Sequence, residues 1–140
     1  MPTFSILTTY NQKVYCLGLN NNTGGALAYP VIDVNNVANL LKWEVYPSPQ
    51  VGIRATLFNT GQRLYLAYGP SNELGVASTP SAATLFLLAG TSVPTQYQIA
   101  TASESPPRKL IVNTSVTTSG SLNIILSSGS GTTNWSFHGY

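Results

Sequence analysis

The sequence predicts an all-β domain in which one four-stranded unit occurs three times. In the clearest copy, residues 51–57 alternate apolar and other side chains with the period of two that a half-buried strand shows. A turn signal follows at Asn59-Thr60-Gly61, and the apolar run Leu64-Tyr65-Leu66 then predicts a second strand. The same order recurs upstream and downstream at intervals of roughly 46 to 50 residues, a period typical of repeat architectures. We therefore expect the whole chain to be organised by this repetition.

The three copies can be superposed on the basic residue that opens the second strand. The residues placed at that position are Lys13, Arg63 and Lys109, and those placed at the next are Val14, Leu64 and Leu110. A third strand in each copy carries the leucines Leu27, Leu74 and Leu122, and a fourth strand carries the aromatics Trp43, Phe86 and Trp135. We expect the three apolar and aromatic sets to form matching layers of one core, because large aromatic and aliphatic side chains dominate core energetics.

Three units of four strands predict twelve strands with pseudo-threefold symmetry. We assign the units to residues 3–47, 51–94 and 95–140 of a single domain covering 1–140, which is long enough to bury a core of its own. A propeller blade has a similar length, but a propeller needs at least four blades. The sequence therefore favours a β-trefoil, a six-stranded barrel closed by three hairpins.

The composition of the chain argues against several classes of function. Only 7% of the residues are charged and the formal net charge is +2, so the chain lacks a basic surface able to neutralise many phosphates, and we expect no nucleic-acid partner. The chain has one cysteine, Cys16, which cannot form an internal disulfide, and its position in a strand indicates a buried, inert thiol. The amino terminus does not resemble a signal peptide, so we expect a cytoplasmic protein. No apolar run is long enough for membrane insertion.

The three-unit pattern, the small size and the Ser/Thr/Asn/Gly-rich composition resemble the mushroom (fungal) β-trefoil lectins of the ricin-B-like class. The fourth strand of that class carries a Gln-x-Trp motif, and the corresponding triplets here are the degenerate Leu41-Lys42-Trp43, Thr84-Leu85-Phe86 and Thr133-Asn134-Trp135. Tyr29-Pro30 is placed like the family's stacking aromatic, and Asn113 falls where the family often has a sugar-binding aspartate. The resemblance implies a lectin for galactose or N-acetylgalactosamine.

The loops contain the groups that sugar binding requires. Hexose recognition needs an aromatic face for the apolar side of the ring, and amides, hydroxyls or carboxylates for the sugar hydroxyls. The candidates are Tyr29, Asp33, Asn35, Asn36 and Asn39 in unit one, Tyr68, Asn72, Glu73 and Ser78 in unit two, and Asn113, Ser127, Ser128 and Asn134 in unit three, with His138 and Tyr140 nearby. We predict up to three shallow sites that bind glycans of glycoproteins or glycolipids and agglutinate by multivalency, which a homodimer would double.

Catalysis is not expected. The four acidic residues Asp33, Glu44, Glu73 and Glu104 show no spacing typical of an acid/base pair, and one histidine with one cysteine is too few for a usual metal site. We predict no cofactor and no metal. The alternative function is a β-trefoil protease inhibitor, in which one exposed loop blocks a protease cleft. The Pro-containing loop 102–108 is its candidate, since a rigid loop binds at low entropic cost.

Overall fold

The computed structural model describes residues 3–19, 25–68, 74–104, 106–118, 120–129 and 131–140, with the backbone alone for 114–118. Twelve strands lie in these ranges: β1 Thr3–Tyr10, β2 Lys13–Leu19, β3 Ala26–Pro30, β4 Trp43–Tyr46, β5 Arg54–Asn59, β6 Leu64–Tyr68, β7 Leu74–Ala77, β8 Phe86–Gly90, β9 Gln96–Thr101, β10 Lys109–Thr118, β11 Ser121–Ser127 and β12 Trp135–Gly139. Two 3-10 turns, Asn39–Leu41 and Pro80–Ala82, precede β4 and β8. No helix in the described ranges is long and apolar enough to cross a membrane.

Six of the strands close into a barrel. Strand β1 pairs with β4 and β12, β5 pairs with β4 and β8, and β9 pairs with β8 and β12, all antiparallel. The remaining strands form the hairpins β2–β3, β6–β7 and β10–β11, one in each group of four consecutive strands. A closed barrel with three hairpins is the predicted β-trefoil, so the predicted fold class is confirmed.

The three aromatics of the fourth strands lie at equivalent places in the core. Trp43, Phe86 and Trp135 are all 0% exposed, as predicted. The indole Nε1 of Trp43 donates to the carbonyl of Leu17 at 2.8 Å, and that of Trp135 donates to the carbonyl of Leu110 at 3.0 Å. These buried nitrogens thus find the partners that a buried indole requires.

The predicted layer of Val14, Leu64 and Leu110 is wrong in two of its members. Leu110 is fully buried, but Val14 and Leu64 are only half-buried. The register of the first and second strands explains the difference. The equivalent opposed pairs in the three units are Leu7 and Cys16, Phe58 and Tyr65, and Ala100 and Lys109, so Cys16, Tyr65 and Lys109 are the residues at one level. The next residues along the second strands, which point inward, are Leu17, Leu66 and Leu110. Of the third-strand leucines, Leu27 and Leu122 are buried, and Leu74 packs against the core while partly exposed.

Candidate functional site

Three equivalent junctions are the places where the fold can form a site. At each junction, the loop that enters the fourth strand of one unit approaches the first two strands of the next unit, which are β5 and β6, β9 and β10, or β1 and β2. A buried polar residue lies near the end of the first strand each time: Thr8, Asn59 and Thr101. The Thr8 hydroxyl donates to the carbonyl of Asn134 at 2.9 Å, and the Asn59 amide donates to the carbonyl of Leu40 at 2.8 Å. The three junctions therefore share a buried polar residue near the end of the first strand, and they differ in the residues that lie between the loop and the strands.

The junction between units one and two is closed by backbone contact. Gly61 lies so close to the 3-10 turn that a Cβ atom there would be 2.7 Å from the nitrogen of Leu40. The Thr60 hydroxyl lies 3.1 Å from the carbonyls of both Asn39 and Lys42. The absence of a side chain at Gly61 lets the loop pack directly on the hairpin. The loop and the strand pair are therefore in direct contact at Gly61.

The junction between units two and three is closed by Tyr68. Its hydroxyl donates to the carbonyl of Leu85 at 2.8 Å and accepts a hydrogen bond from the backbone N–H of Ala102 at 3.1 Å. Its ring meets Phe86 edge-on, with 5.1 Å between the ring centroids. The hydroxyl and the ring of Tyr68 therefore both contact the structure at this junction.

The junction between units three and one is open. A groove of about 610 Å³ separates the β1–β2 hairpin from the loop that enters β12. It is lined by Leu7, Thr8, Thr9, Tyr10, Val14, Val34, Gln96, Ile111, Val112, Gly131, Thr132, Thr133, Asn134 and Ser136. None of these side chains is charged, and the polar ones are hydroxyls and amides. We call this the junction groove.

Some polar groups of the junction groove are hydrogen-bonded within the protein, and others are available to a ligand. The Thr133 hydroxyl accepts a hydrogen bond from the N–H of Val112 at 3.0 Å, as Thr84 does from Tyr68 at 3.1 Å in unit two. Both threonines lie two residues before the buried aromatic of the fourth strand, so in units two and three this position has a structural role. Asn134, in contrast, is exposed, and the amide groups of Asn134 and Gln96 have no hydrogen-bond partner within the described part of the chain. These amides can both donate to and accept from a ligand.

The predicted residues of unit one fall on two sides of that unit. The Asp33 carboxylate accepts a hydrogen bond from the N–H of Asn35 at 3.0 Å, which fixes a turn around Val34, a residue of the groove wall. Asn36 and Asn39 are exposed on the same loop. Tyr29 does not line the junction groove. Its ring lies against Gly18, its hydroxyl donates to the carbonyl of Leu19 at 3.2 Å, and burial raises the pKa of Tyr29.

The predicted residues of units two and three are scattered. Asn72 and Glu73 lie outside the described residues, and Ser78 is exposed after β7. In unit three, Asn113 faces Asn123 across β10 and β11, the Ser127 hydroxyl accepts from the N–H of Gly129, and Ser128 is exposed. Of the eleven predicted residues that the structure describes, Asn134 alone lies in the groove lining.

Sequence reasoning missed the groove residues Thr9, Tyr10, Gln96, Thr132 and Ser136. All but Thr132 lie on strands rather than in the long loops, and the groove exists because separate segments of the chain approach one another. The aromatic Tyr10 directly before the turn Asn11-Gln12 is the one local signal that pointed to this place.

Other reactive groups lie away from the groove. Cys16 is fully buried, and burial raises the pKa of its thiol to about 11. Within the described ranges, no three His, Cys, Asp or Glu side chains lie close enough together to hold a metal ion. In the loop 102–108, Arg108 is only 7% exposed and its guanidinium binds both carboxylate oxygens of Glu104 at 2.6 Å, so its charge is directed into the protein.

No protein-family model and no curated protein sequence matches this chain. Solved structures do. A designed threefold-symmetric protein, ThreeFoil, superposes with a TM-score of 0.68 at 14% identity, covering 97% of each chain. A Caenorhabditis elegans protein of unknown function gives 0.67 at 10% identity, covering 96% of this chain and 92% of its own. The cytolethal distending toxin from Actinobacillus actinomycetemcomitans gives 0.65 at 20% identity, covering 96% and 90%. At these identities the similarity establishes a shared β-trefoil fold.

Proposed function

We propose that this protein is a non-catalytic glycan-binding protein whose junction groove takes an uncharged sugar. The observation that supports the proposal is the contrast between the three junctions: the third-to-first contains a groove of about 610 Å³, whereas direct contacts join the described residues across the other two. Its polar groups are hydroxyls and amides without charge, which suit a neutral polyhydroxylated ligand better than an ion. Tyr10 provides an aromatic side chain at the same groove.

The sugars to test first are galactose and N-acetylgalactosamine, which the resemblance to ricin-B-like lectins suggests. We expect weak binding, with a dissociation constant on the order of 0.1 to 1 mM for a monosaccharide. The reason is that each hydrogen bond in a solvent-accessible groove largely replaces one to water and contributes about 0.5 to 1.5 kcal/mol net. Strong attachment to a glycan-coated surface would then require several copies of the groove, for example in a homodimer.

The deciding experiment is a titration of the protein with these sugars, followed by calorimetry and by NMR of the side-chain amides. Asn134→Ala should weaken binding roughly 3- to 10-fold, because it removes about one hydrogen-bonding group. Gln50→Ala is the matched control, since Gln50 is an exposed amide residue outside the groove, and it should bind like the wild type.

Two results would overturn the proposal. One is silence on a broad glycan array together with no effect of sugar on the Asn134 amide signals. The other is nanomolar inhibition of a protease without sugar binding, which would favour the inhibitor function and the loop 102–108. That loop is less suited to insertion than its sequence suggests, because Arg108 is buried and paired with Glu104.

A further inference from the structure

A second surface of the molecule combines aromatic rings with a carboxylate. Opposite residues on neighbouring antiparallel strands share one face of the sheet, and the register places Glu44 opposite Phe58 and Phe58 opposite Tyr65. Tyr46 and Thr56 form the next row on the same face, while Val45 and Leu57 point into the core. With Pro80, these residues enclose a concave site of about 330 Å³, which we call the aromatic site.

The rings of the aromatic site lie against one another and are at least partly exposed. The Phe58 and Tyr65 rings lie 4.7 Å apart at an interplanar angle of 56°, so together they form a tilted corner. The Tyr46 side chain is 63% exposed and stands at the edge of the site. Glu44 has neither an ion-pair nor a hydrogen-bond partner for its carboxylate among the described side chains. The site therefore presents π faces together with an uncompensated negative charge.

The equivalent positions at the other two junctions lack this combination. Between β12, β1 and β2 the corresponding row is Ser136, Leu7 and Cys16, and between β8, β9 and β10 it is Leu87, Ala100 and Lys109. Neither row contains a ring or a carboxylate. The chemistry of the aromatic site is thus particular to units one and two and is not a consequence of the repeat.

We propose that the aromatic site binds a methylated ammonium cation, such as a trimethylammonium head group. Aromatic faces attract such cations through the ring quadrupole, and a nearby carboxylate adds charge complementarity. A sugar fits less well, because no side chain lining the site is an amide, and the Thr56 hydroxyl already donates to the carbonyl of Tyr46 at 3.4 Å. The cation can be free or carried by a lipid head group, and the two sources share this chemistry.

The test is an NMR titration of tyrosine-labelled protein with choline and with its neutral carbon isostere, 3,3-dimethyl-1-butanol. We expect choline to shift the Tyr46 and Tyr65 ring signals saturably and to bind roughly 3- to 30-fold more tightly than the isostere. Glu44→Gln and Tyr46→Ala should each weaken choline binding by a similar factor. Tyr46→Phe keeps the π face and should bind like the wild type, which separates a role of the ring from a role of the hydroxyl.

A second arm identifies the source of the cation. Sedimentation with phosphatidylcholine vesicles, compared with phosphatidylglycerol vesicles, assigns a lipid source if only the former bind the protein and Glu44→Gln releases it. Binding of free choline without vesicle binding assigns a small soluble ligand. The proposal is overturned if the neutral isostere binds as well as choline, if no ligand saturates the ring signals, or if galactose shifts them instead.

Discussion

Trp135 donates a hydrogen bond from its indole nitrogen to the carbonyl of Leu110, two elements apart in the same unit, at 3.0 Å. Trp43 makes the same bond to Leu17 at 2.8 Å. Phe86 has no donor to repeat it, and unit two instead packs the Tyr68 ring against the Phe86 ring. The indole hydrogen bond therefore joins the fourth strand to the second in units one and three. In unit two, the Tyr68–Phe86 ring pair joins the same two strands.

We predict that replacing a buried tryptophan lowers the stability of the fold, and that the loss is larger when the replacement leaves a cavity. Trp43→Ala or Trp135→Ala should lower the free energy of unfolding by about 3 to 5 kcal/mol, because a large buried side chain is lost. Trp43→Phe should cost about 1 to 3 kcal/mol, since it fills most of the space but leaves the Leu17 carbonyl without the indole donor. Urea unfolding followed by the fluorescence of the remaining tryptophan measures both. Indoles that iodide quenches freely in the folded protein would contradict this placement.

The repeat could be predicted from the sequence, but its register could not. Alternating strands and turn residues are local signals, and they were sufficient for twelve strands and a threefold arrangement. The equivalence of Lys13, Arg63 and Lys109 failed because the hairpin turns differ in length. Arg63 lies in a turn with a positive φ of 58°, and Asn11 and Gln12 also have positive φ, so the basic residues do not start their strands at the same level of the barrel.

The junction groove could not be predicted, for a different reason. Whether a junction is open depends on how a loop packs against a strand that is distant in sequence, as Asn134 does against Thr8, 126 residues away. Composition alone made Tyr68 look like a sugar-stacking aromatic. Its three-dimensional neighbours, Leu85 and Ala102, show it to be a packing residue that fills the equivalent space.

We predict that Tyr68→Phe destabilises the fold without changing sugar binding in the junction groove. The substitution removes the hydroxyl that bonds Leu85 and Ala102, which should cost about 1 to 3 kcal/mol because the partners lose a hydrogen bond. Thermal unfolding and calorimetry with the same sugar measure the two properties. A loss of sugar affinity at unchanged stability would instead make Tyr68 a ligand contact.

The Glu104–Arg108 pair predicts a specific acid dependence. Hydrogen bonds from Arg108 lower the pKa of Glu104 in the folded state, so the unfolded state takes up the proton at higher pH. The contribution of the pair to stability is therefore present above the ordinary glutamate pKa of about 4.3 and is lost as the pH falls through the lowered value. Between about pH 6 and 3, the wild type should lose stability more steeply than Glu104→Gln, as measured by urea midpoints. Parallel curves would show that the pair contributes nothing.

Cys16 should be unreactive until the protein unfolds. The thiol is buried, donates toward the carbonyl of Leu41 at 3.2 Å, and has its pKa raised to about 11, so at neutral pH it is both protonated and inaccessible. Labelling with a thiol reagent at pH 8 should therefore proceed at the rate of unfolding and become immediate in concentrated urea. Rapid stoichiometric labelling of a protein whose circular dichroism remains native would contradict the burial.

We predict that each chain binds one sugar in the junction groove. Three similar loop sets suggested up to three sites in each chain, but two of the three junctions are filled, one by the contact of Leu40 with Gly61 and one by Tyr68. We therefore expect calorimetry to give one sugar per chain for the junction groove. A protein with one groove can crosslink glycan-coated cells only if it self-associates, so agglutination should appear only at concentrations where sedimentation shows a dimer. Asn134→Ala should then reduce sugar binding and agglutination together. Agglutination by a strictly monomeric protein, or a stoichiometry of three, would show that the loops of units one and two bind sugar as well, and would restore the multivalent reading of the sequence.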